Sequence, residues 1–229
     1  MAAVARKANW FAIGVTVAVV IVLGGLVGAV VWMNSAASGP GTQPTASNID
    51  ITTGAIHVGE GEQTLDTYVD FMCPICNNFE QVFGSTIESL VDDGTITLNI
   101  HPIAILDRYS QNTEYSTRAA NAMYCVAVSD ADAALPFQQA MFGNQPSENS
   151  TGLTDDEIVA IAAGVGATDV ADCITGGTYK QFVGSITQQT PIQPGQTGIA
   201  TPTVSINGEV IANSTLPSDA AGFEALFRK

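Results

Sequence analysis

Residues 64–90 read TLDTYVDFMCPICNNFEQVFGSTIESL, and this stretch decides the fold. Its first part alternates apolar with polar residues, which predicts a strand over Thr64–Val69. Its second part repeats apolar residues at helical spacing, which predicts a helix from Pro74 to the turn at Asp92-Asp93-Gly94. The sequence Cys73-Pro74-Ile75-Cys76 therefore lies where a strand ends and a helix begins.

Further strands and helices are predicted on both sides of this stretch. Alternation and β-branched residues predict the strands Ile56–Val58, Thr95–Ile100, Thr203–Ile206 and Glu209–Ala212. Asn207-Gly208 separates the last two strands and is a strong hairpin signal. Helical patterns cover Tyr115–Val128, Leu135–Phe142, Thr154–Gly164, Thr178–Thr187 and Ser218–Phe227. These elements predict an α/β sheet fold into which an all-helical block, about residues 110–190, is inserted.

The charge of the chain restricts its partners. It has 229 residues, with 22 Asp and Glu against 7 Lys and Arg, and a formal net charge of −15. A nucleic-acid-binding protein needs cationic side chains to displace counterions, and a protein held on anionic lipid needs a basic patch. The composition argues against both classes, so we expect a folded acidic domain with no nucleic-acid partner.

The N-terminal region predicts export. Residues 10–33 contain no charge and, as a helix, would extend about 36 Å, enough to cross a bilayer. Because Arg6 and Lys7 precede this run, the positive-inside rule predicts a cytoplasmic N-terminus at residues 1–9, a transmembrane signal anchor and a C-terminal domain outside the cytoplasm. The alternative is a cleaved signal peptide and a secreted domain, since Ser35-Ala36-Ala37 resembles a cleavage site, although an apolar core of this length is typical of an anchor.

A flexible linker is predicted after the anchor. Residues 34–50 are rich in Ser, Gly, Pro, Thr and Ala. The folded domain is therefore expected over residues 51–229, a length sufficient for a single core.

The cysteines number four, Cys73, Cys76, Cys125 and Cys173, in a chain whose expected export permits disulfides. Four cysteines allow three pairings. If Cys73 pairs with Cys76, then Cys125 and Cys173 are left for each other in the helical block. The alternative for these two is a pair of unrelated buried thiols.

The Cys73-Pro74-Ile75-Cys76 segment is the strongest candidate for chemistry. Cys73 would be the N-cap of the helix and Pro74 its first residue, where the missing N–H costs nothing. The unpaired N–H groups and positive end of the helix favour the Cys73 thiolate, whereas Cys76 should be more buried. A stabilised thiolate weakens the disulfide, so such a pair is a better oxidant than a structural bridge. The nearby carboxyl of Asp70 acts against this, because a negative charge raises a thiol pKa.

The Cys73–Cys76 pair has two other interpretations, a zinc site and an inert disulfide. A zinc site would need further ligands, but the sequence has no second CxxC, and His57 and His101 lack ligand spacing. An inert structural disulfide is the other alternative, although placement after a strand and before a helix favours redox activity. We therefore expect no metal and no cofactor.

Two segments resemble a known family. Residues 68–80, YVDFMCPICNNFE, resemble the redox segment of the DsbA-like thiol-disulfide oxidoreductases, which have a thioredoxin fold with an inserted helical domain. Residues 198–204, GIATPTV, resemble the cis-proline loop of that family. The resemblance implies a catalytic pair, Cys73 and Cys76, and residues that contact substrate or tune the redox potential, namely Pro74, Ile75, Thr201 and Pro202.

The resemblance also bears on the helical block, and this chain differs from the family at a few positions. Membrane-anchored Gram-positive-type members are similar in having an additional bridge, which implies a structural disulfide between Cys125 and Cys173. Relatives often carry an acid six residues before the first cysteine, where this chain has Thr67, and a Gly where it has Ala200. The dipeptide between the cysteines is Pro-Ile rather than Pro-His, which implies a milder oxidant because an imidazolium is missing.

The resemblance implies a function as well. An oxidoreductase of this kind donates its disulfide to unfolded exported proteins that carry cysteine thiols. Its reoxidation is expected from a membrane quinone-linked oxidase of the VKOR-like or DsbB-like kind, and the N-terminal helix would hold the domain at the membrane. The alternatives are a disulfide isomerase or reductase of the same fold and a non-catalytic peptide-binding chaperone.

Overall fold

The computed structural model describes residues 21–29 and 41–228 of the chain. The chain divides into two units, Met1–Gly39 and Pro40–Lys229. In the first unit residues 21–29 are helical, and the rest of the predicted anchor and the predicted cytoplasmic N-terminus lie outside the described residues. Among the residues described, no helix is both long enough and apolar enough to cross a membrane.

The second unit is built on a five-stranded sheet. Its strands are β1 (Ile56–Val58), β2 (Gln63–Val69), β3 (Ile96–Pro102), β4 (Thr203–Ile206) and β5 (Glu209–Ile211). They are ordered β1-β3-β2-β4-β5, with β2 and β3 parallel and the other neighbours antiparallel. Because β2 and β4 run in opposite directions, the end of β2 lies beside the start of β4, and this brings distant segments of the chain together.

The helices follow the predicted pattern with one addition. They are α1 (Pro74–Asp92), α2 (Tyr115–Ser129), α3 (Ala134–Gly143), α4 (Asp155–Gly164), α5 (Ala171–Gly176), α6 (Lys180–Thr187) and α7 (Ala220–Ala225). Sequence periodicity did not predict α5, since six residues are too few to repeat an apolar face. The predicted hairpin at Asn207-Gly208 is confirmed, with φ of 51° and 83° at its two residues as a type I′ turn requires.

Helix α1 buries one face against α7 and β3. The buried residues recur at helical spacing and include Cys76, Phe79, Phe83, Ile87 and Leu90. Phe83 stacks on Phe223 of α7 with ring centroids 4.5 Å apart. This packing fixes the start of the helix and places Cys76 in the core.

The helical block, α2 to α6, lies between β3 and β4 in the chain. Its centre is α2, where Cys125 forms a disulfide with Cys173 of α5 at a Cα–Cα distance of 5.9 Å. Asn121 of α2 donates to the carbonyl of Ile174 (3.3 Å) and accepts from the N–H of Tyr179 (2.7 Å). One disulfide and one buried amide therefore tie the same helices together.

The packed domain begins before residue 51, where the predicted linker ends. Pro44 and Ile49 are buried, and Ile49 forms a β-bridge with Ile56. The side-chain amide of Asn48 donates to the carbonyl of Ala127 (3.2 Å). The prediction was wrong at this boundary because the polar composition of the segment does not reveal that its few apolar residues find buried sites.

Candidate functional site

Cys73 and Cys76 lie at the junction of β2 and α1. Cys73 is the N-cap residue of α1 with an extended backbone (φ −78°, ψ 116°), and Pro74 follows at the first helical position. Both cysteines are free thiols; Cys73 is 4 % exposed and Cys76 is fully buried. Ile75, in contrast, is 62 % exposed beside them. A reacting partner would therefore meet Cys73 first.

The pKa values of the two thiols are shifted in opposite directions. The pKa of Cys73 is lowered from the usual thiol value, first by a hydrogen bond from the Cys76 thiol and then by the N–H groups of Cys76 and Ile75 at the helix start, while burial and the Asp70 charge oppose this. The pKa of Cys76 is raised well above the usual value, mainly by burial and then by the neighbouring Cys73 sulfur. Cys73 is thus the more acidic thiol of the pair, and Cys76 keeps its proton to higher pH.

The loop before β4 completes the site. The peptide bond between Thr201 and Pro202 is cis. The Cys73 thiol donates to the carbonyl oxygen of Thr201 at 3.5 Å. The structure therefore brings Thr201 to the two cysteines, and Pro202 follows it in the same loop.

The Thr201 hydroxyl contacts both β2 and the Cys76 sulfur of α1. It donates to the carbonyl oxygen of Tyr68 (3.1 Å) and lies 2.8 Å from the Cys76 sulfur. A hydroxyl has only one proton to donate, so it serves either the Tyr68 carbonyl or the Cys76 sulfur; while it serves Tyr68, the Cys76 proton is shared between the Thr201 oxygen and the Cys73 sulfur. If Cys76 becomes a thiolate, rotation of the hydroxyl directs its proton to the sulfur, which lowers the pKa of Cys76.

A mostly apolar cleft of about 310 Å³ is lined by the residue between the two cysteines and by the cis-proline. These two residues are Ile75 and Pro202, and the remaining apolar lining is Phe79, Val82, Phe83, Leu216 and Pro217. An extended peptide with an apolar side chain fits such a surface, because burial of that side chain would hold the peptide against the cis-proline loop.

Asp70 is a fully buried carboxyl that holds the turn before Cys73. It accepts from the N–H of Met72 (2.9 Å) through one oxygen, and from Ile105 (2.9 Å) and Leu106 (3.0 Å) through the other. Burial raises the pKa of Asp70 to about 6, although these hydrogen bonds lower it in part. The sequence showed that Asp70 is near Cys73 but not that it connects this turn to the segment after β3.

Two side-chain amides hold the cis-proline loop, and neither was predicted from the sequence. The carbonyl oxygen of Pro202 accepts from the side chains of Gln193 (2.9 Å) and Asn213 (2.8 Å). Gln193 is 4 % exposed and also donates to the Thr203 hydroxyl (2.9 Å). Both amides lie outside the predicted helices and strands, where no periodic pattern marks a buried polar residue.

Thr67 occupies the position at which relatives often carry an acid. It is buried on β2, and its hydroxyl has no hydrogen-bond partner. It therefore supplies no acid to the Cys76 thiol. Within residues 21–29 and 41–228, no group of three or more His, Cys, Asp or Glu side chains is arranged to hold a metal ion.

Comparison with known proteins gives a consistent set of similarities. A family model described as thioredoxin matches residues 52–223. The reduced form of the disulfide bond oxidoreductase DsbG from Mycobacterium tuberculosis is 31 % identical over 84 % of this chain and 89 % of that chain, with a TM-score of 0.64. The oxidised form of DsbA from the same organism is also 31 % identical, over 69 % of this chain and 85 % of that chain, with a TM-score of 0.60.

Two further similarities are more limited. The thiol-disulfide oxidoreductase MdbA from Actinomyces oris is similar in fold, with a TM-score of 0.63 over 81 % of this chain and 92 % of that chain, at 21 % identity. The serine/threonine-protein kinase PknE of Mycobacterium tuberculosis is 37 % identical over 119 residues, which are 50 % of this chain. That match spans only 21 % of the kinase.

Proposed function

Because the chain belongs to the thioredoxin family and is a thiol-disulfide oxidoreductase of the DsbA type, we propose that it donates the Cys73–Cys76 disulfide to exported proteins outside the cytoplasm. One observation carries this proposal: Cys73 lies at the N-cap of α1 beside the Thr201 carbonyl of the cis-proline loop, while Cys76 is fully buried. This placement favours the thiolate at Cys73 rather than at Cys76. A stabilised Cys73 thiolate favours the reduced pair and so makes the disulfide a better oxidant.

The reaction follows from which sulfur can be reached. A substrate thiolate attacks the Cys73 sulfur, the Cys73–Cys76 bond breaks, and Cys76 leaves as a thiolate that takes up a proton. A second substrate thiolate then attacks the substrate sulfur of the mixed disulfide and expels the Cys73 thiolate. The substrate loses two electrons and gains a disulfide, while the pair is reduced. A low Cys73 pKa assists the second step, because the more acidic thiol is the better leaving group.

The substrate is an unfolded chain with cysteine thiols. The cleft lined by Ile75 and Pro202 supports this, since it accepts an apolar side chain next to the residue between the two cysteines and next to the cis-proline. The carbonyl of Thr201, the residue before Pro202, contacts the Cys73 sulfur. A surface of this kind binds many sequences, because backbone contacts and a single apolar pocket make few demands on side-chain identity.

Reoxidation and location form the remaining part of the proposal. Residues 10–33 anchor the domain to the membrane, with residues 1–9 in the cytoplasm, a linker from residue 34 and the C-terminal domain outside. A membrane quinone-linked oxidase of the VKOR-like or DsbB-like kind restores the disulfide. To test the location, alkaline phosphatase is fused after Lys229; activity of the fusion supports export, and an inactive but stable fusion contradicts it.

The redox potential tests the direction of electron transfer. The full chain in mild detergent is equilibrated with glutathione, and the fraction of the Cys73–Cys76 disulfide is measured by alkylation and mass spectrometry. A potential well above about −200 mV supports donation of the disulfide. A value near about −270 mV, as in thioredoxin, contradicts it and favours the reductase or isomerase alternative. Full function of a Cys73→Ala variant would favour the chaperone alternative.

A further inference from the structure

The turn between β2 and α1 has backbone polar groups that must find partners, because a buried unpaired carbonyl or N–H is costly. The N–H of Met72 donates to a carboxyl oxygen of Asp70, and the N–H of Cys73 donates to the Asp70 carbonyl, both at 2.9 Å. The carbonyl of Phe71, at the centre of this turn, needs a donor from elsewhere. The carbonyl of Cys73 accepts from the N–H of Asn77 (3.2 Å) and has capacity for a second donor.

Gln145 donates to both carbonyls. Its side-chain nitrogen lies 3.0 Å from the carbonyl oxygen of Phe71 and 2.9 Å from that of Cys73. Its side-chain oxygen accepts from the amide of Asn77 (3.1 Å), and Asn77 in turn accepts from Gln81 (3.1 Å). The orientation of the Gln145 amide is therefore determined, since only its nitrogen can face two carbonyl oxygens.

Gln145 belongs to the helical block and not to the sheet. It follows the end of α3, and its own N–H donates to the carbonyl of Phe142 (3.2 Å). The ring of Phe142 packs on the ring of Phe71, with centroids 5.1 Å apart. A polar and an apolar contact thus join the end of α3 to the turn that carries Cys73.

We propose that Gln145 is a positioning residue for the redox reaction, which acts by fixing the backbone of Cys73 so that its sulfur faces the N–H groups at the start of α1. The Cys73 carbonyl defines the backbone angle ψ of this residue, and ψ sets where the side chain stands relative to the helix. Without the Gln145 donor, the turn gains freedom and the N–H groups of Ile75 and Cys76 stabilise the Cys73 thiolate less well.

The inference rests on the oxidoreductase activity of the Cys73–Cys76 pair and not on the direction in which the pair transfers electrons. The potential of the unaltered protein tests direction, whereas the difference between variant and unaltered protein tests the role of Gln145. The proposed direction of electron transfer and the proposed role of Gln145 can therefore be refuted independently.

The test compares Gln145→Met with a matched control, Gln138→Met. Methionine retains the length of glutamine but cannot donate a hydrogen bond. Gln138 lies on α3 itself and is buried, but its amide donates to Glu80 of α1 (3.1 Å) and not to the Cys73 turn. Both variants are made in the full chain, and thermal unfolding establishes that each is folded.

Two measurements distinguish a positioning role from a general loss of stability. The first is the pKa of Cys73, followed by the ultraviolet absorbance of its thiolate, and the second is the equilibrium constant with glutathione. For Gln145→Met we expect the Cys73 pKa to rise and the equilibrium to shift about three- to tenfold toward the protein disulfide. For Gln138→Met we expect neither to change. No shift in Gln145→Met, or equal shifts in both variants, would overturn the proposal.

A milder variant covers the case in which Gln145→Met does not fold. Asn77→Ala removes the donor that orients the Gln145 amide but leaves Gln145 in place. It should shift both readouts in the same direction by a smaller factor. An unchanged Cys73 pKa in folded Asn77→Ala, with Gln145→Met unfolded, would also contradict the proposal.

Discussion

Thr201→Val is the substitution that tests the chemistry of the site most directly. Valine has nearly the shape of threonine but no hydroxyl, so it removes the group that lies 2.8 Å from the Cys76 sulfur. In the oxidised protein Cys76 is the leaving group when a substrate thiolate attacks Cys73. The variant therefore leaves the forming Cys76 thiolate without its hydroxyl donor in a fully buried position.

The size of the effect follows from the hydrogen bond that is lost. A hydrogen bond to a charged group contributes about 1.5–3 kcal/mol, and about 1.4 kcal/mol corresponds to a factor of ten in rate. The carbonyl of Tyr68 competes for the same hydroxyl proton, so the lower end of this range applies. We expect the oxidised Thr201→Val protein to react about tenfold more slowly with a reduced peptide.

The assay is a single turnover between oxidised protein and excess reduced cysteine peptide, quenched with acid and analysed by mass spectrometry. Thr67→Val is the matched control, since its buried hydroxyl has no partner. That control should keep the rate and raise the unfolding free energy by about 1 kcal/mol, because an unpaired polar group is removed. A Thr201→Val rate within about twofold of the unaltered rate would refute the role assigned to this hydroxyl.

Three further outcomes follow from the structure. Replacing both Cys125 and Cys173 by Ala should lower stability by about 4 kcal/mol, because the bridge closes a loop with a sequence separation of 48, and thermal unfolding should show this without a change in the peptide reaction rate. Because burial raises the pKa of Asp70 from its usual 3.8 to about 6, the stability contributed by the protonated carboxyl is present at low pH and is lost as the pH rises through this range; the stability of Asp70→Asn relative to the unaltered protein should therefore rise by about 3 kcal/mol between about pH 3 and about pH 7, and denaturant titrations that show a constant difference would contradict this. Ile75→Asp should weaken peptide binding about tenfold, as measured by the peptide concentration at half-maximal rate, because it places a charge at the wall of the apolar cleft; an unchanged value would mean that the peptide binds elsewhere.

The sequence predicted those parts of the fold that depend on repeated burial. Strand β2 and helix α1 each bury one face, so their apolar residues recur with the period of the element. Helix α5 was not predicted because it is too short to show a period. The early start of the domain was not predicted because Ile49 is a single apolar residue among polar ones.

The site could be predicted only as far as its motifs extend. Cys73 and Cys76 are neighbours in sequence, and the junction of strand and helix already indicates which thiol is more acidic. Gln145 and Gln193 could not be predicted, because each contacts backbone carbonyls more than a helix turn away in the chain and contributes no periodic signal. Their roles depend on where the fold places a loop, which side-chain type alone does not determine.

The redox properties of this protein therefore depend on neutral donors. The groups that lower the Cys73 pKa are a thiol and two backbone N–H groups, and no cation is among them. Hydrogen bonds of this kind act only over a short range and in a narrow set of directions, unlike the charge of an imidazolium between the cysteines. A protein with Pro-Ile at these positions must hold its turn rigidly to keep the Cys73 thiolate stable. The buried carboxyl of Asp70 on one side of the turn and the amide of Gln145 on the other provide that rigidity.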